Sequence, residues 1–316
     1  MSGNSNLQMS KSGKQDEFYT LLPTIEEELK HYREYFVDKV VFCNCDDPTW
    51  SNFWKYFQVN FYNLELRKLI STHYEPDGKS YKLEIVRDEQ QGQIGLLPKY
   101  VKTDLEGNGD FRSDECLALL NEADIVVTNP PFSLSKEYIP CLMESKKKFI
   151  VLGNLNHATF KEIFHYIYDH QLNIGYNSGH FWFRVPDDYE EKRTDFKIEN
   201  GIKYRRMGNI CWYTNFDITV RHTSNIIPFK TYNPHDYPKY DNYDAIHIEK
   251  VADIPMDYDG VMSVPITYLA KHSDNDYEIL GKLDGGTADN PLDLAKPLLN
   301  GDAKYKRIAI KRKRGN

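Results

Sequence analysis

Long apolar runs are missing from this 316-residue chain. None approaches the ~20 residues that a helix needs to cross a bilayer, so no membrane span is expected. Cysteine is scarce: Cys43, Cys45, Cys116, Cys141 and Cys211 are odd in number and irregular in spacing. That excludes a disulfide framework and a paired CxxC zinc site. The ten histidines show no HExxH or comparable spacing, so no metal is expected. Residues 1–15 are polar, rich in Ser, Lys, Gly and Asn, and lack the apolar centre of a signal peptide; they read as a disordered leader. A cytoplasmic location follows.

What is present suits a globular protein: 40% hydrophobic and 28% charged residues, enough chain for a catalytic domain with a modest second lobe. Aromatics reach 14%, and their flat faces serve either core packing or stacking on bases. The net charge of −7 argues weakly against a DNA-coating protein. Phosphate contacts, however, need only a local basic surface. Lys304, Lys306, Arg307, Lys311, Arg312, Lys313 and Arg314 supply one candidate, read either as a solvated basic tail or as such a surface.

Periodicity predicts a helix over 23–36 with Thr24 as its cap, a buried strand over 40–43, and a turn at Asp46-Asp47-Pro48. The alternation Cys43-Asn44-Cys45 reads as one face of that strand. A helix over 51–60, a strand over 68–72 and a hairpin-like piece over 81–86 follow. Next come a helix over 114–122, a strong strand over 124–128, a helix over 134–145, a strand over 148–153 and a helix over 159–170. This alternation predicts an α/β fold with a doubly wound parallel sheet. After about 174 the texture turns aromatic and irregular, with strand-like pieces at 179–185, 209–214 and 244–248.

Asn129-Pro130-Pro131-Phe132, directly after the 124–128 strand, carries the clearest chemistry. The C6 amine of adenine is a poor nucleophile because its lone pair is delocalised into the ring. The Asn129 side-chain oxygen and the Pro130 carbonyl can both accept hydrogen bonds from such an NH₂ group. Two prolines stiffen the loop and remove donors, and Phe132 offers a face for a base to stack on. The loop sits at the carboxyl end of a strand, where open α/β sheets bind ligands. Cytosine-C5 chemistry would need a nucleophilic Cys after a Pro; only Cys141 follows one, and it falls in a predicted helix.

The order DEFYT, VVFCNCDDP, GDFRS and DIVVTNPPF resembles the EcoRI family of adenine-specific DNA methyltransferases, and the resemblance runs over most of the chain. It implies a Rossmann-like domain dependent on S-adenosylmethionine (SAM), acting on a flipped-out adenine in double-stranded DNA. It also implies the catalytic residues Asn129, Pro130, Pro131 and Phe132. Phe18, Tyr19 and Thr20 match the segment that packs on SAM and holds its methionine part. Cys45, Asp46, Asp47 and Pro48 stand where other methyltransferases carry a Gly-rich loop, and Asp110 and Phe111 match the pair beside the cofactor's adenine. The usual FxGxG is absent, as is the acidic residue that binds the ribose, since the second strand ends Ser71-Thr72-His73-Tyr74.

The motif order implies a SAM-binding and catalytic core over 16–173 and a target-recognition region over 174–316 with a basic C-terminal tail. Arg184, Arg193, Arg205, Arg206 and Arg221 are candidates for base contact there. Phe181-Trp182-Phe183 either packs a core or stacks on the extruded base. The expected role is the modification half of a restriction–modification system, by a monomer that shares its site with a cognate endonuclease without a stable complex. Methylation of a protein glutamine, methylation of RNA adenine, and an inactive nucleic-acid-binding module remain alternatives.

Overall fold

The computed structural model describes residues 18–45, 47–88, 97–285 and 290–313. The expected leader at 1–15, Asp16, Glu17, Asp46 and Arg314 lie outside the described residues. Two compact units form: the described residues up to Gly153 with Asn177–Thr214, and Asn154–Tyr176 with those from Asn215 on. No helix among the described residues is long and apolar enough to cross a membrane.

The strands in chain order are β1 (Tyr19–Thr20), β2 (Val40–Cys43), β3 (Lys68–Thr72), β4 (Tyr81–Val86), β5 (Val101–Asp104), β6 (Ile125–Thr128), β7 (Lys148–Asn154), β8 (Asn173–Arg184), β9 (Phe196–Glu199) and β10 (Ile202–Thr214). They form one sheet in the order β1-β8-β10-β7-β6-β2-β3-β4-β5, with β9 paired to β10. The centre β7-β6-β2-β3 is parallel. Its strands β2 and β6 are buried at every position, as near-continuous apolar runs covered on both faces must be. Asp124 staples the two strands together. Its carboxylate accepts from the Val40 amide at 2.8 Å and from Arg67 at 3.0 Å, while its own amide donates to the Val40 carbonyl.

The sheet is therefore mixed, not parallel throughout. The link from β3 to β4 is too short for a helical crossover, so β4 returns antiparallel beside β3, and β5 beside β4. At the opposite edge β1 runs antiparallel to β8. The helices are α1 (Leu22–Leu29), α2 (Asn52–Val59), α3 (Asp114–Glu122), α4 (Ser135–Ser145) and α5 (Lys161–Tyr168). Ser51 caps α2 and Ser113 caps α3 through their hydroxyls. The predicted 23–36 helix divides into α1 and a 3₁₀ segment, Lys30–Phe36. Thr24 is not its cap, because the helix already starts at Leu22 with Pro23 in its first turn.

The second unit holds β11 (Ile246–His247), β12 (Met262–Pro265), β13 (Tyr277–Leu283), the small pair β14 (Leu298–Leu299) and β15 (Asp302–Ala303), and β16 (Arg307–Arg312). Four of them make a sheet in the order β11-β12-β16-β13. The basic cluster is thus not a solvated tail. It brackets Ile308-Ala309-Ile310, which are fully buried between β12 and β13. Lys306 donates to the Asn156 carbonyl at 2.8 Å and the Thr159 hydroxyl at 3.0 Å, and Arg307 donates to the carbonyls of Ile248 and Ser263. Arg312 and Lys313 likewise reach the carbonyls of Pro255 and Asp274. The charges dominate the composition of this segment, but its short continuous apolar run decides its place.

Replacing Ile310 by Ala should cost about 2–5 kcal/mol through the cavity left in this sheet. Lys311→Ala, on the exposed face, should stay within about 0.5 kcal/mol. Urea unfolding of both variants distinguishes an interior strand from a loose tail: equal midpoints would refute the former.

Candidate active site

The loop after β6 is held from three sides. Thr128 donates its hydroxyl to the Asn44 carbonyl, and the Asn44 side chain accepts from the Tyr138 hydroxyl on α4 at 2.5 Å. All three residues are buried, and burial pushes the Tyr138 phenol well above its ordinary range. The Phe111 ring meets Tyr138 edge-on at 5.0 Å, so a continuous chain of contacts links Phe111 to the end of β6. Pro130 is buried. The Pro131 carbonyl accepts from the Leu134 amide at 3.0 Å, and Ser135 caps the Phe132 carbonyl at 2.8 Å. The Pro130 carbonyl is not taken up by that turn.

Asn129 makes the decisive contact. Its Nδ2 donates to the Phe18 carbonyl at 2.5 Å. A carbonyl can only accept, so this bond fixes which end of the amide is which. The Oδ1 atom is then left as an acceptor; it is buried and accepts no hydrogen bond among the described residues. The Phe18 ring stacks on Phe132 with centroids 6.2 Å apart and planes at 24°, and packs edge-on against Phe183 and Tyr189. A second asparagine, Asn52, donates to the Thr20 carbonyl at 2.7 Å. The Thr20 hydroxyl is buried without a partner among the described residues. The N-terminal segment and the Asn129 loop, far apart in sequence, are thereby brought into direct contact.

Beyond β2 the chain breaks out of the sheet. The strand ends at Cys43, Asn44 turns inward, and Cys45 takes a left-handed φ of 64°. Cys43-Asn44-Cys45 is therefore not one strand face. Pro48 is buried. Asp47 closes the turn by accepting from the amide and hydroxyl of Thr49, at 2.9 and 2.8 Å, and from the Tyr81 hydroxyl at 3.0 Å. His73 stacks on Tyr81 at 5.1 Å with its Nε2 3.7 Å from Asp47. Burial and the Asp47 carboxylate push the Tyr81 phenol up to about 12. Sequence reasoning gave His73 and Tyr81 no role. The signal lies in the β3–β4 pairing, which alone brings them together.

Gly109 sets the approach of the next segment. Its φ is 78°, and a side-chain carbon there would fall 2.0 Å from the His73 carbonyl, so only glycine fits. Asp110 follows, with its carboxylate gripped by Arg112: Nε to Oδ1 at 2.9 Å and Nη2 to Oδ2 at 2.7 Å. Arg112 also bonds Glu137 at 2.7 Å. The hydrogen bonds from Arg112 hold the Asp110 carboxyl below the usual carboxylate range. At the end of β3, where an acidic residue was missed, the Ser71 hydroxyl is buried with no hydrogen-bond partner among the described residues.

The arginines proposed for base contact separate. Arg221 is buried, with Nη2 2.7 Å from Asp274 and 2.9 Å from His170, and so faces the fold. Arg205 bonds the carbonyls of Thr194 and Asp195, and Arg206 lies 3.6 Å from the Asp195 carboxylate. Arg193 is exposed, and Arg184 lies over the Trp50 ring. Phe183 is fully buried, whereas Phe181 and Trp182 are half-buried. In the second unit His170, His272 and Asp274 bring ligand atoms within 4.8 Å of one another, but the Arg221 guanidinium already sits on Asp274 and His170. Burial holds His272 below the ordinary histidine range, a neutral ring that fits a structural brace.

Residues 6–313 match the family described as adenine-specific methyltransferase EcoRI. The chain belongs to that family. It is 42% identical to the type II methyltransferase M.EcoRI of Escherichia coli, over 98% of this chain and 97% of the relative. It is 35% identical to the type II methyltransferase M.MgeORF184P of Mycoplasma genitalium, over 96% and 97%, and 37% identical to M.MpnI of Mycoplasma pneumoniae, over 86% and 83%. No solved structure matches the chain. The protein is an adenine-specific DNA methyltransferase, and DNA is its substrate.

In this methyltransferase the Asp110–Arg112 pair has a titration signature. A depressed carboxyl stays ionised, and keeps its share of the fold's stability, until pH falls through the lowered value. Arg112→Gln should move the Asp110 titration up towards the ordinary aspartate value of about 3.9. Carboxyl carbon-13 NMR would show it, and an unmoved resonance would mean Arg112 does not set the charge.

Proposed function

We propose that this methyltransferase moves a methyl group from SAM to N6 of an adenine extruded from double-stranded DNA. One observation carries the proposal: the Asn129 amide is oriented by the Phe18 carbonyl, which leaves Oδ1 as a buried acceptor with no hydrogen-bond partner among the described residues. An exocyclic NH₂ is the donor this acceptor lacks. Asn129 Oδ1 and the Pro130 carbonyl would take the two amine hydrogens and draw the nitrogen lone pair out of the ring. Phe132 would stack on the flipped base, returning about 1–3 kcal/mol of the unstacking cost. Pro131 holds the loop's shape.

The residues fit a cofactor at the carboxyl ends of β2, β3 and β6, where ligands of open α/β sheets bind. The buried, unsatisfied hydroxyls of Thr20 and Ser71 are open to polar partners. Phe18, Tyr19 and Thr20 would hold the methionine part. Cys45, Asp46, Asp47 and Pro48 would border it, and the ionised Asp110 with Phe111 would flank the adenine. When bound, SAM supplies a methyl group on an electron-poor sulfonium, and positioning carries the rate. We assign residues 16–173 to this Rossmann-like, doubly wound catalytic part and 174–316 to target recognition. The type II names of the relatives support a modification enzyme of a restriction–modification system; to this reading belong a cytoplasmic location and a monomer that shares its site with an endonuclease without a stable complex.

With labelled SAM and mixed genomic DNA, label should appear in N6-methyladenine. Label in RNA or in glutamine instead would move the substrate to those classes. Asn129→Ala should lower transfer about 100- to 1000-fold, the scale of losing one hydrogen bond made at the reacting group, with SAM affinity unchanged. Thr20→Val should weaken SAM binding about tenfold by calorimetry. Full transfer by the Asn129 variant would remove the loop from the chemistry.

A further inference from the structure

Beside β1 the first unit carries a cleft of about 190 Å³ whose lining includes Tyr19, Trp50, Asn52, Lys55, Arg184 and Asp187. Arg184 lies over the Trp50 ring at 5.4 Å, and Trp50 is left 56% exposed. Lys55 donates to the Trp50 carbonyl at 3.4 Å. Among the described residues no carboxylate forms an ion pair with either cation, Asp187 included. Other cations of the same unit are paired: Arg67 with Asp124, Lys68 with Glu84 and Glu122, Arg112 with Asp110 and Glu137. Two uncompensated cations and an exposed aromatic face in one concavity call for an anionic, partly flat ligand.

Strand geometry says which ligand. Successive side chains on a strand point to opposite faces. Tyr19 lines the cleft and is the cross-strand partner of Arg184. Phe18, which stacks on Phe132, and Thr20 therefore point to the face opposite Tyr19. The cleft thus lies on the other face of β1 from Thr20, and shares only Tyr19 with the segment proposed to hold the cofactor. Yet it lies one residue from the Phe18 carbonyl that orients Asn129, a step of about 3.4 Å along the strand. A cleft so close to Asn129, but on the other face of β1, suits an anionic group of the DNA chain that bears the adenine.

Resting on the function proposed above, we propose that this cleft binds a backbone phosphodiester of the target strand next to the extruded adenine. Arg184 and Lys55 meet the phosphate oxygens, and Trp50 covers the adjoining sugar or base. The contact fixes the strand after the base has left the stack and reads no sequence.

The test uses the full chain and a duplex carrying the target sequence mapped by methylation of genomic DNA. DNA affinity is measured against salt concentration. Arg184→Gln and Lys55→Gln should each reduce the slope of log K against log salt by about 0.9, one phosphate contact apiece. SAM affinity should stay within twofold, and Arg184→Lys should keep the wild-type slope because it keeps the charge. Unchanged slopes in both Gln variants, with wild-type enzyme still methylating adenine, overturn the cleft assignment alone. A loss of SAM affinity at constant DNA slope gives the cleft to the cofactor. Wild-type enzyme that neither binds duplex nor labels adenine overturns both proposals together.

Discussion

The hydrogen bond from Asn129 to the Phe18 carbonyl is the constraint on which the site depends. It joins the tip of a central strand to the start of β1, which is the edge of the sheet among the described residues. Such an edge would otherwise offer unpaired carbonyls, each costing about 1–3 kcal/mol if buried unmet. Asn129 and Asn52 answer two of them, at Phe18 and Thr20. The same bond that closes the edge gives the Asn129 amide its orientation, so stability and chemistry share one interaction. Around it the rings of Phe132, Phe183 and Tyr189 close on Phe18, which keeps the short β1 in place with only two residues in the ladder.

The parallel centre of the sheet supplies the rigidity behind that contact. Asp124 ties the starts of β2 and β6, and the Thr128–Asn44–Tyr138 chain ties their ends. A loop anchored at both levels of its strand has little freedom to drift, and small displacements matter greatly where reacting atoms must meet. Electrostatics follow the same plan. The hydrogen bonds from Arg112 lower the Asp110 carboxyl, whereas burial raises the phenols of Tyr138 on α4 and Tyr81 on β4, with the Asp47 carboxylate adding to the rise at Tyr81. The charged and the neutral polar groups of the site are set by their neighbours, not by exposure alone.

Much of this was legible in the sequence because the relevant rules are local. The strand at Lys68–Thr72 and the helix at Asp114–Glu122 fall where the pattern of apolar residues puts them. The Asn-Pro-Pro-Phe loop is recognisable because two prolines after a buried strand have few structural uses. What stayed hidden is non-local. Nothing in residues 51–54 announces that Asn52 reaches the Thr20 carbonyl, and His73 and Tyr81 become partners only through an antiparallel ladder. The basic segment near 310 misled because charge was counted without the apolar run it flanks: Ile308, Ala309 and Ile310 are buried, and Lys306, Arg307, Arg312 and Lys313 on either side donate to backbone carbonyls. Arg221 misled in the same way, being spent on Asp274 inside the fold.

The place of β16 between β12 and β13 bears on how the second unit comes into being. Its sheet is centred on the strand that the ribosome delivers after the other three. Until that strand emerges, β12 and β13 have no common neighbour, and each presents an open ladder to whatever strand it meets first. Cooperative closure of this unit therefore waits until β16 has been made, and the interval before it is when the nascent chain is most exposed to mispairing.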